Sequence, residues 1–318
     1  MLYSNNSTQL MAFAMPTGSD GQLWNLEPIL PLPLKVEVDT DKAKLGERLF
    51  HDPQLSGDKS MSCASCHDLA NGGIDGLQTS VGANGAKLSR NTPTVFNATF
   101  NSTQFWDGRT KTLEEQAAGP ILNPKEMNAN WPQVISRLHA DPDYLTTFTA
   151  LYPNGITPAS ITHALAEFER TLITPNSRFD QYLRGHTDAI TTAERNGYQN
   201  FVQYGCIACH QGRNVGGNMF QKFGVFEEYC DETSETFCAD TGRQEITGNL
   251  ADHRIFRVPS LRNVAITGPY FHDGSVTTLE QAVAEMGEHQ LGRDIPEKDV
   301  KLIVQFLGTL TGDAPISP

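Results

Sequence analysis

Four of the six cysteines fall in two copies of one short motif. Residues 63–67 read Cys-Ala-Ser-Cys-His, and residues 206–210 read Cys-Ile-Ala-Cys-His. This C-x-x-C-H spacing is typical of covalent haem attachment, because two thiols can bond to the haem vinyl groups while the adjacent imidazole reaches the iron. The pattern therefore predicts two c-type haems, attached through Cys63 and Cys66 with His67 and through Cys206 and Cys209 with His210.

Other uses of these cysteines are possible from the pattern alone. A single copy could be a redox-active C-x-x-C or half of a zinc site, and all four thiols together could bind one zinc ion. In the zinc interpretation both histidines would follow their cysteines by coincidence, so haem is favoured. Cys230 and Cys238 lie in an acidic segment and have no following histidine. We expect a short-loop disulfide there, since c-type haem assembly usually implies an oxidising compartment; free surface thiols are the alternative.

The sequence also contains an internal repeat. Phe-Trp-Asp-Gly at 105–108 and Thr-Leu-Glu at 112–114 recur as Phe-His-Asp-Gly at 271–274 and Thr-Leu-Glu at 278–280, an offset of 166 residues. Pro93 and Asn97 match Pro259 and Asn263 at the same offset. The repeat predicts two related haem units.

The helices that would carry these motifs have clear start and stop signals. Asp39 or Thr40 can cap a helix reaching Phe50, and a capping box at residues 191–194 predicts a second helix to Tyr204. An amphipathic pattern predicts a helix over 157–173, and Pro296 begins a last one through Leu307. Little of the chain alternates as a strand does. We expect a mainly α fold with long loops, in two units covering 1–178 and 179–318, and the 157–173 helix could pack with either.

Composition limits the possible partners. The 318 residues carry 24 Lys+Arg against 37 Asp+Glu, a formal charge of −13. This sign disfavours nucleic acid and anionic lipid, and it suits a basic protein or a neutral small molecule. No apolar stretch is long enough to span a membrane, and no basic n-region of a leader precedes Lys35.

The two units differ where a second iron ligand would be needed. Met286 lies 76 residues after His210, and a thioether there would give His/Met ligation suited to electron transfer, although core packing is the ordinary role of a lone methionine. Its counterpart in the first unit is Pro120, and that unit has no histidine between His67 and His139. An iron with an open face could bind a small oxygen-containing substrate. Nearby, the Glu126 carboxylate could move a proton and the Gln116 amide could hold an oxygen.

Taken together, these residues closely resemble the bacterial di-haem cytochrome c peroxidases, from about Lys42 to Gly312. The resemblance rests on both haem motifs, on Phe-Trp-Asp-Gly-Arg at 105–109 with Gln116 and Glu126, and on Gly-Pro-Tyr-Phe-His-Asp-Gly at 268–274 with Met286.

The resemblance implies two cytochrome c-like domains with a calcium ion near their interface. Asn91 would supply a side-chain oxygen to the calcium, and Thr267 and Pro269 would supply backbone carbonyls. Trp106 would lie between the haems and assist electron passage. His272, its counterpart in the repeat, would lie near the second haem.

The implied reaction reduces hydrogen peroxide to two waters with two electrons from an external donor. His67 would hold the peroxidatic iron, with Glu126 moving the proton and Gln116 orienting the oxygens. His210 and Met286 would hold the second iron. The donor would be a small cytochrome c or a cupredoxin, and a quinol stays open. The resemblance further implies a periplasmic protein and, more weakly, a calcium-assisted homodimer.

One position departs from the pattern of many family members. They carry a histidine after Thr-Ser-x-Gly that blocks the peroxidatic iron, whereas Ala83 follows residues 79–82 here. A methyl group cannot ligate iron, so we expect the first haem to be five-coordinate or water-bound when oxidised, unless a residue such as Met61 or Met127 replaces the histidine. Two rival functions are a related di-haem enzyme that oxidises a partner protein, as in methylamine dehydrogenase maturation, and a plain electron carrier.

Overall fold

The computed structural model of the chain describes residues 27–229 and 239–315. Within these ranges the structure is helix-rich, as the sequence predicts. The helices are α1 (Thr40–Phe50), α2 (Leu113–Leu122), α3 (Trp131–Ala140), α4 (Pro142–Leu151), α5 (Pro158–Thr171), α6 (Arg178–Leu183), α7 (Thr192–Tyr204), α8 (Gln244–Thr247), α9 (Leu279–Glu285) and α10 (Glu297–Gly308). The strands β1 (Phe220–Lys222) and β2 (Ile255–Arg257) pair antiparallel, with Phe220 opposite Arg257. In the part of the chain described, no helix has the length and apolar composition of a membrane span.

The first hydrophobic core forms where α1 crosses α5. A Cβ atom at Gly46 would lie 1.9 Å from the carbonyl oxygen of Ala164, so the two helices meet at backbone contact. Leu49 of α1 and Phe168 of α5 are buried in the same apolar cluster. The helix that the sequence could assign to either unit therefore packs with the first.

The second core forms in the same way where α7 crosses α10. A Cβ atom at Gly197 would lie 1.9 Å from the carbonyl oxygen of Leu302. Phe201 of α7 and Phe306 of α10 pack with ring centroids 5.3 Å apart. Glycine is required at both crossings because any side chain would overlap the facing helix.

Most helix boundaries follow the local signals. The Asp39 carboxylate caps α1 by accepting a hydrogen bond from the N–H of Lys42, and Thr191 with Glu194 forms the capping box of α7. Helix α5 ends at Thr171, two residues before the predicted end. The reason is a distant partner: the carbonyl of Leu172 accepts a 2.9 Å hydrogen bond from the N–H of Asn97.

Asn97 and its counterpart Asn263 meet at one buried hydroxyl. Both have left-handed backbones, with φ of 61° and 62°. Their side-chain amides donate to Oγ1 of Thr174 at 2.8 Å and 2.9 Å. Thr174 thus ties the loop that follows the first haem motif to the loop that follows the second.

Candidate functional site

Both motif histidines are oriented by a backbone carbonyl. Nδ1 of His67 lies 3.2 Å from the carbonyl oxygen of Gly73, and Nδ1 of His210 lies 3.4 Å from that of Val215. A ring that donates through Nδ1 leaves Nε2 available to a metal. Burial lowers the pKa of His67 and lowers that of His210 to about 4. Both rings are therefore neutral near pH 7, as iron ligation requires.

The motif cysteines are half-buried free thiols that do not cluster as a zinc site would require. Burial raises the pKa of Cys63 to about 12 and that of Cys206 to about 11. Within the described ranges, the only cluster of three metal-ligating His, Cys, Asp or Glu side chains is Glu285, Glu288 and His289. The one-zinc alternative is therefore wrong, and the proposed Cys230–Cys238 disulfide lies outside the described residues.

A large apolar cavity joins the second motif to its predicted second ligand. Cys206, Cys209, His210 and Met286 all line it. Helix α9 changes to a π-helical turn over Met286–Gln290, so the predicted ligand stands at the first residue of the turn. Such π turns occur often at functional sites.

The cavity has the chemistry that a haem needs. A haem combines an apolar ring with two carboxylates, and the cavity combines an apolar lining with a buried cation, Arg257. Nη1 of Arg257 is buried without a hydrogen-bond partner among the described residues. With His210 offering Nε2, the residues present fit this cofactor.

Trp106 lies where the two units meet. Its indole N–H donates a 2.9 Å hydrogen bond to the carbonyl of Asn91, and its ring lies 6.4 Å from that of His272 in an edge-to-face arrangement. Trp106 and His272 both line the cavity that contains His210. The structure thus brings this predicted site residue together with His210 around one cavity.

The three predicted calcium ligands line the same cavity. Nδ2 of Asn91 donates to the carbonyls of Leu77 at 3.0 Å and Gln78 at 3.2 Å, which fixes the amide so that Oδ1 faces elsewhere. Among the described residues, the carbonyls of Thr267 and Pro269 accept no backbone hydrogen bond. Neutral oxygens of this kind suit a hard cation such as calcium.

Glu126 is half-buried and held by its neighbours. Nδ2 of Asn123 donates a 2.7 Å hydrogen bond to Oε1 of Glu126. Burial raises the pKa of this carboxyl above its ordinary value, while Asn123 and then Arg109 oppose the rise. The result is a carboxylate whose proton affinity is closer to the working pH, as a proton-transfer group needs.

The loop that contains Ala83 packs directly on Glu126. Ala83 is buried, and a Cβ atom at Gly82 would lie 1.9 Å from the carbonyl oxygen of Lys125. At the base of the loop, the buried hydroxyl of Ser80 bonds to Asp75. The loop is thus fixed against the segment that carries the predicted acid.

Gln116 lies on α2, just before that segment. Its side chain is half-buried. After α2 ends, the N–H of Met127 bonds back to the carbonyl of Pro120 at 3.1 Å, which returns the Glu126 segment to the helix. Gln116 and Glu126 therefore belong to one folded-back element.

Sequence reasoning missed several residues of the site. The Arg109 guanidinium lies 3.3 Å from the ring centroid of Phe105, within the motif that the resemblance used. Asn123, which holds Glu126, gave no signal beyond its closeness in sequence. Arg257 could have been found as the counterpart of Asn91 at the offset of 166.

Comparison with known proteins gives a consistent result. The profile of the family described as "Di-haem cytochrome c peroxidase" matches residues 40–188. The chain is 47% identical to the cytochrome c peroxidase Ccp of Escherichia coli over 90% of its own length, and it spans only 61% of that protein. It is also 47% identical to the cytochrome c551 peroxidase of Nitrosomonas europaea, over 91% of this chain and 85% of the relative.

Among solved structures, a MauG-like protein associated with microbial copper homeostasis superposes with a TM-score of 0.77. It is 29% identical, and the match covers 95% of this chain and 98% of the other.

Proposed function

The chain belongs to the di-haem cytochrome c peroxidase family, and from that premise we propose that it reduces hydrogen peroxide to water with electrons from an external donor. One observation carries the assignment of roles within the chain. Met286 lines a cavity with His210, whereas the counterpart of Met286 in the first unit is Pro120. A second iron with ligands from both His210 and Met286 would accept electrons. A first iron without a second protein ligand would be able to bind peroxide.

Two c-type haems would be held by this chain's own residues. Cys63, Cys66 and His67 would hold the first, and Cys206, Cys209, His210 and Met286 the second. When bound, the haems supply the iron redox chemistry that peroxide reduction needs. Trp106, between the units, would favour passage of electrons from the second site to the first.

The residues around the first site would handle protons and oxygen atoms. Ionised Glu126 would take a proton from one peroxide oxygen and return it to the other, so that water leaves. The Gln116 amide would hydrogen-bond the substrate oxygens without titrating. Ala83 offers only a methyl group, so the substrate position would stay open without prior reduction.

The two units, 1–178 and 179–318, would be related by internal duplication. A pair of hydrogen bonds supports this: the N–H of Asn91 donates to the carbonyl of His272 at 2.7 Å, and the N–H of Arg257 donates to that of Trp106 at 2.8 Å. The two donor residues are 166 positions apart, and so are the two acceptor residues. Each bond is therefore the counterpart of the other in the repeat. This reciprocity is typical of an approximate two-fold axis between repeats.

Further expectations concern the surroundings of the enzyme. A calcium ion would bind Oδ1 of Asn91 and the carbonyls of Thr267 and Pro269, and it would help to assemble a homodimer. Covalent haem attachment favours the periplasm. A small cytochrome c or cupredoxin suits the charge of −13 if its docking face is basic, and a quinol remains a second donor class.

The rival functions differ in their second site and in their products. An enzyme that oxidises a partner protein, the alternative suggested by the MauG-like fold, would place tyrosine where this chain has Met286. A plain carrier would need both irons sealed, and Pro120 offers no ligand.

The deciding experiment measures steady-state peroxide reduction by the haem-loaded protein with reduced cytochrome c, cupredoxin and quinol at two ionic strengths. Rapid turnover supports the peroxidase, and a steep loss of rate with salt identifies a charged protein donor. No turnover with any donor, together with oxidation of a partner protein, would favour the rival enzyme.

A further inference from the structure

Arg257 is a buried cation without an ionic partner. The residue is 4% exposed, and its Nη1 has no hydrogen-bond partner among the described residues. Its Nε donates one bond of 3.2 Å to the carbonyl of Phe105. A buried guanidinium is normally paired with an anion, because removing a charge from water is costly.

The carboxylate whose charge acts on Arg257, that of Asp107, is already engaged elsewhere. Oδ2 of Asp107 lies 2.6 Å from Nη1 of Arg90 and 2.8 Å from Nη1 of Arg109. Asp107 exerts only a long-range attraction on Arg257, and burial still lowers the pKa of Arg257 to about 10. The charge of Arg257 is thus largely uncompensated by the protein.

Arg257 also faces the space that a cofactor would fill. It lines the cavity together with His210, Met286 and Trp106. The Nε atom of its guanidinium donates to the carbonyl of Phe105, and its backbone N–H donates to the carbonyl of Trp106. These two bonds fix the residue at the cavity wall, and Nη1 remains without a hydrogen-bond partner among the described residues.

We propose that Arg257 binds a propionate carboxylate of the second haem and thereby raises the reduction potential of that haem. The inference rests on the proposed assignment of the second haem to this cavity. Reduction adds one negative charge to the haem, and a fixed cation beside it stabilises the reduced form relative to the oxidised form. Arg257 would thus be a positioning and tuning residue, separate from Met286, which ligates the iron.

The test compares reduction potentials of the haem-loaded protein by optical redox titration. Arg257→Gln should lower the potential of the His/Met haem, and Arg257→Lys should restore part of it. Arg254→Gln is the matched control: Arg254 is 3% exposed, and its Nη2 likewise has no partner among the described residues, but it does not line the cavity. It should shift the potential much less.

Several outcomes would overturn the inference. These are an unchanged potential in Arg257→Gln, an equal shift in Arg254→Gln, or a shift confined to the first haem. If Arg257→Gln does not fold, resonance Raman spectra of Arg257→Lys decide the question, because the propionate-bending band should move only if residue 257 contacts the carboxylate. A wild-type spectrum without a His/Met haem would instead contradict the proposed function, so the two failures are distinguishable.

Discussion

The backbone N–H of Ala83 donates a 2.7 Å hydrogen bond to the backbone carbonyl of Glu126. The loop that could block a peroxidatic iron and the segment that carries the proposed proton acceptor are therefore one packed unit. Because Gly82 also lies against the carbonyl of Lys125, a movement of the loop would displace Glu126. Under the proposed function, this packing would link access to the first site with proton transfer by Glu126.

The first prediction concerns Ala83 itself. Since its methyl group cannot ligate iron, the oxidised haem-loaded protein should show a high-spin ferric signal by electron paramagnetic resonance. Ala83→His should convert that signal to low-spin and make activity depend on prior reduction. Asn84→His is the control, because Asn84 is exposed and its left-handed backbone tolerates histidine. Two low-spin haems in the oxidised wild type would contradict the prediction.

The second prediction concerns the carboxylate of Glu126. Glu126→Gln keeps the shape and the hydrogen bond from Asn123 but cannot accept a proton, so kcat for peroxide reduction should fall by about 100- to 10,000-fold. Haem content and spectra should not change. Glu115→Gln removes the same charge from an exposed position on α2 and should leave kcat unaltered. A Glu126→Gln enzyme with near wild-type kcat would assign the proton to another group.

The third prediction concerns pH and Arg109. Glu126 accepts a proton only when ionised, so activity should fall as the pH drops through its pKa, which burial raises. The Arg109 cation opposes this rise. Arg109→Gln should therefore raise the pKa further and move the acid limb of the kcat/KM profile to higher pH.

The control for Arg109 is a second cation that lies next to Glu126 in the chain. Lys125→Gln makes the same change of charge at an exposed residue, where solvent screens the charge. Its pH profile should match the wild type. If the acid limb moved to lower pH in Arg109→Gln, Arg109 would raise the pKa of Glu126 and not lower it, which would contradict the prediction.

Features that are set by residues close together in the sequence could be predicted from it. The capping box of Thr191 and Glu194 spans four residues, and each haem motif spans five, so their partners could be read directly. The end of α5 could not, because Asn97, which captures the carbonyl of Leu172, lies 75 residues earlier. Contacts of this kind require the tertiary fold.

In the candidate site, too, features set by residues close in sequence were predictable and contacts between distant residues were not. Ligand types followed from the spacing of Cys and His residues, whereas the contact of Ala83 with Glu126 joins residues 43 positions apart. Arg257 was missed because its counterpart Asn91 has different chemistry, so the repeat predicted the position of the residue but not its charge. Burial, which makes the unpaired guanidinium informative, has no sequence signature.

The last prediction concerns the helix crossings. Gly46→Ala should lower the free energy of unfolding of the holoprotein by about 1–3 kcal/mol, because the new methyl group would lie 1.9 Å from the carbonyl oxygen of Ala164 and the helices would have to separate. Gly308→Ala in α10 is the control: its Cβ would meet no atom within 4 Å, so the gain in helix propensity should leave stability equal or up to about 1 kcal/mol higher. Urea unfolding measures both. Equal midpoints for Gly46→Ala and wild type would mean that α1 and α5 do not meet at backbone contact.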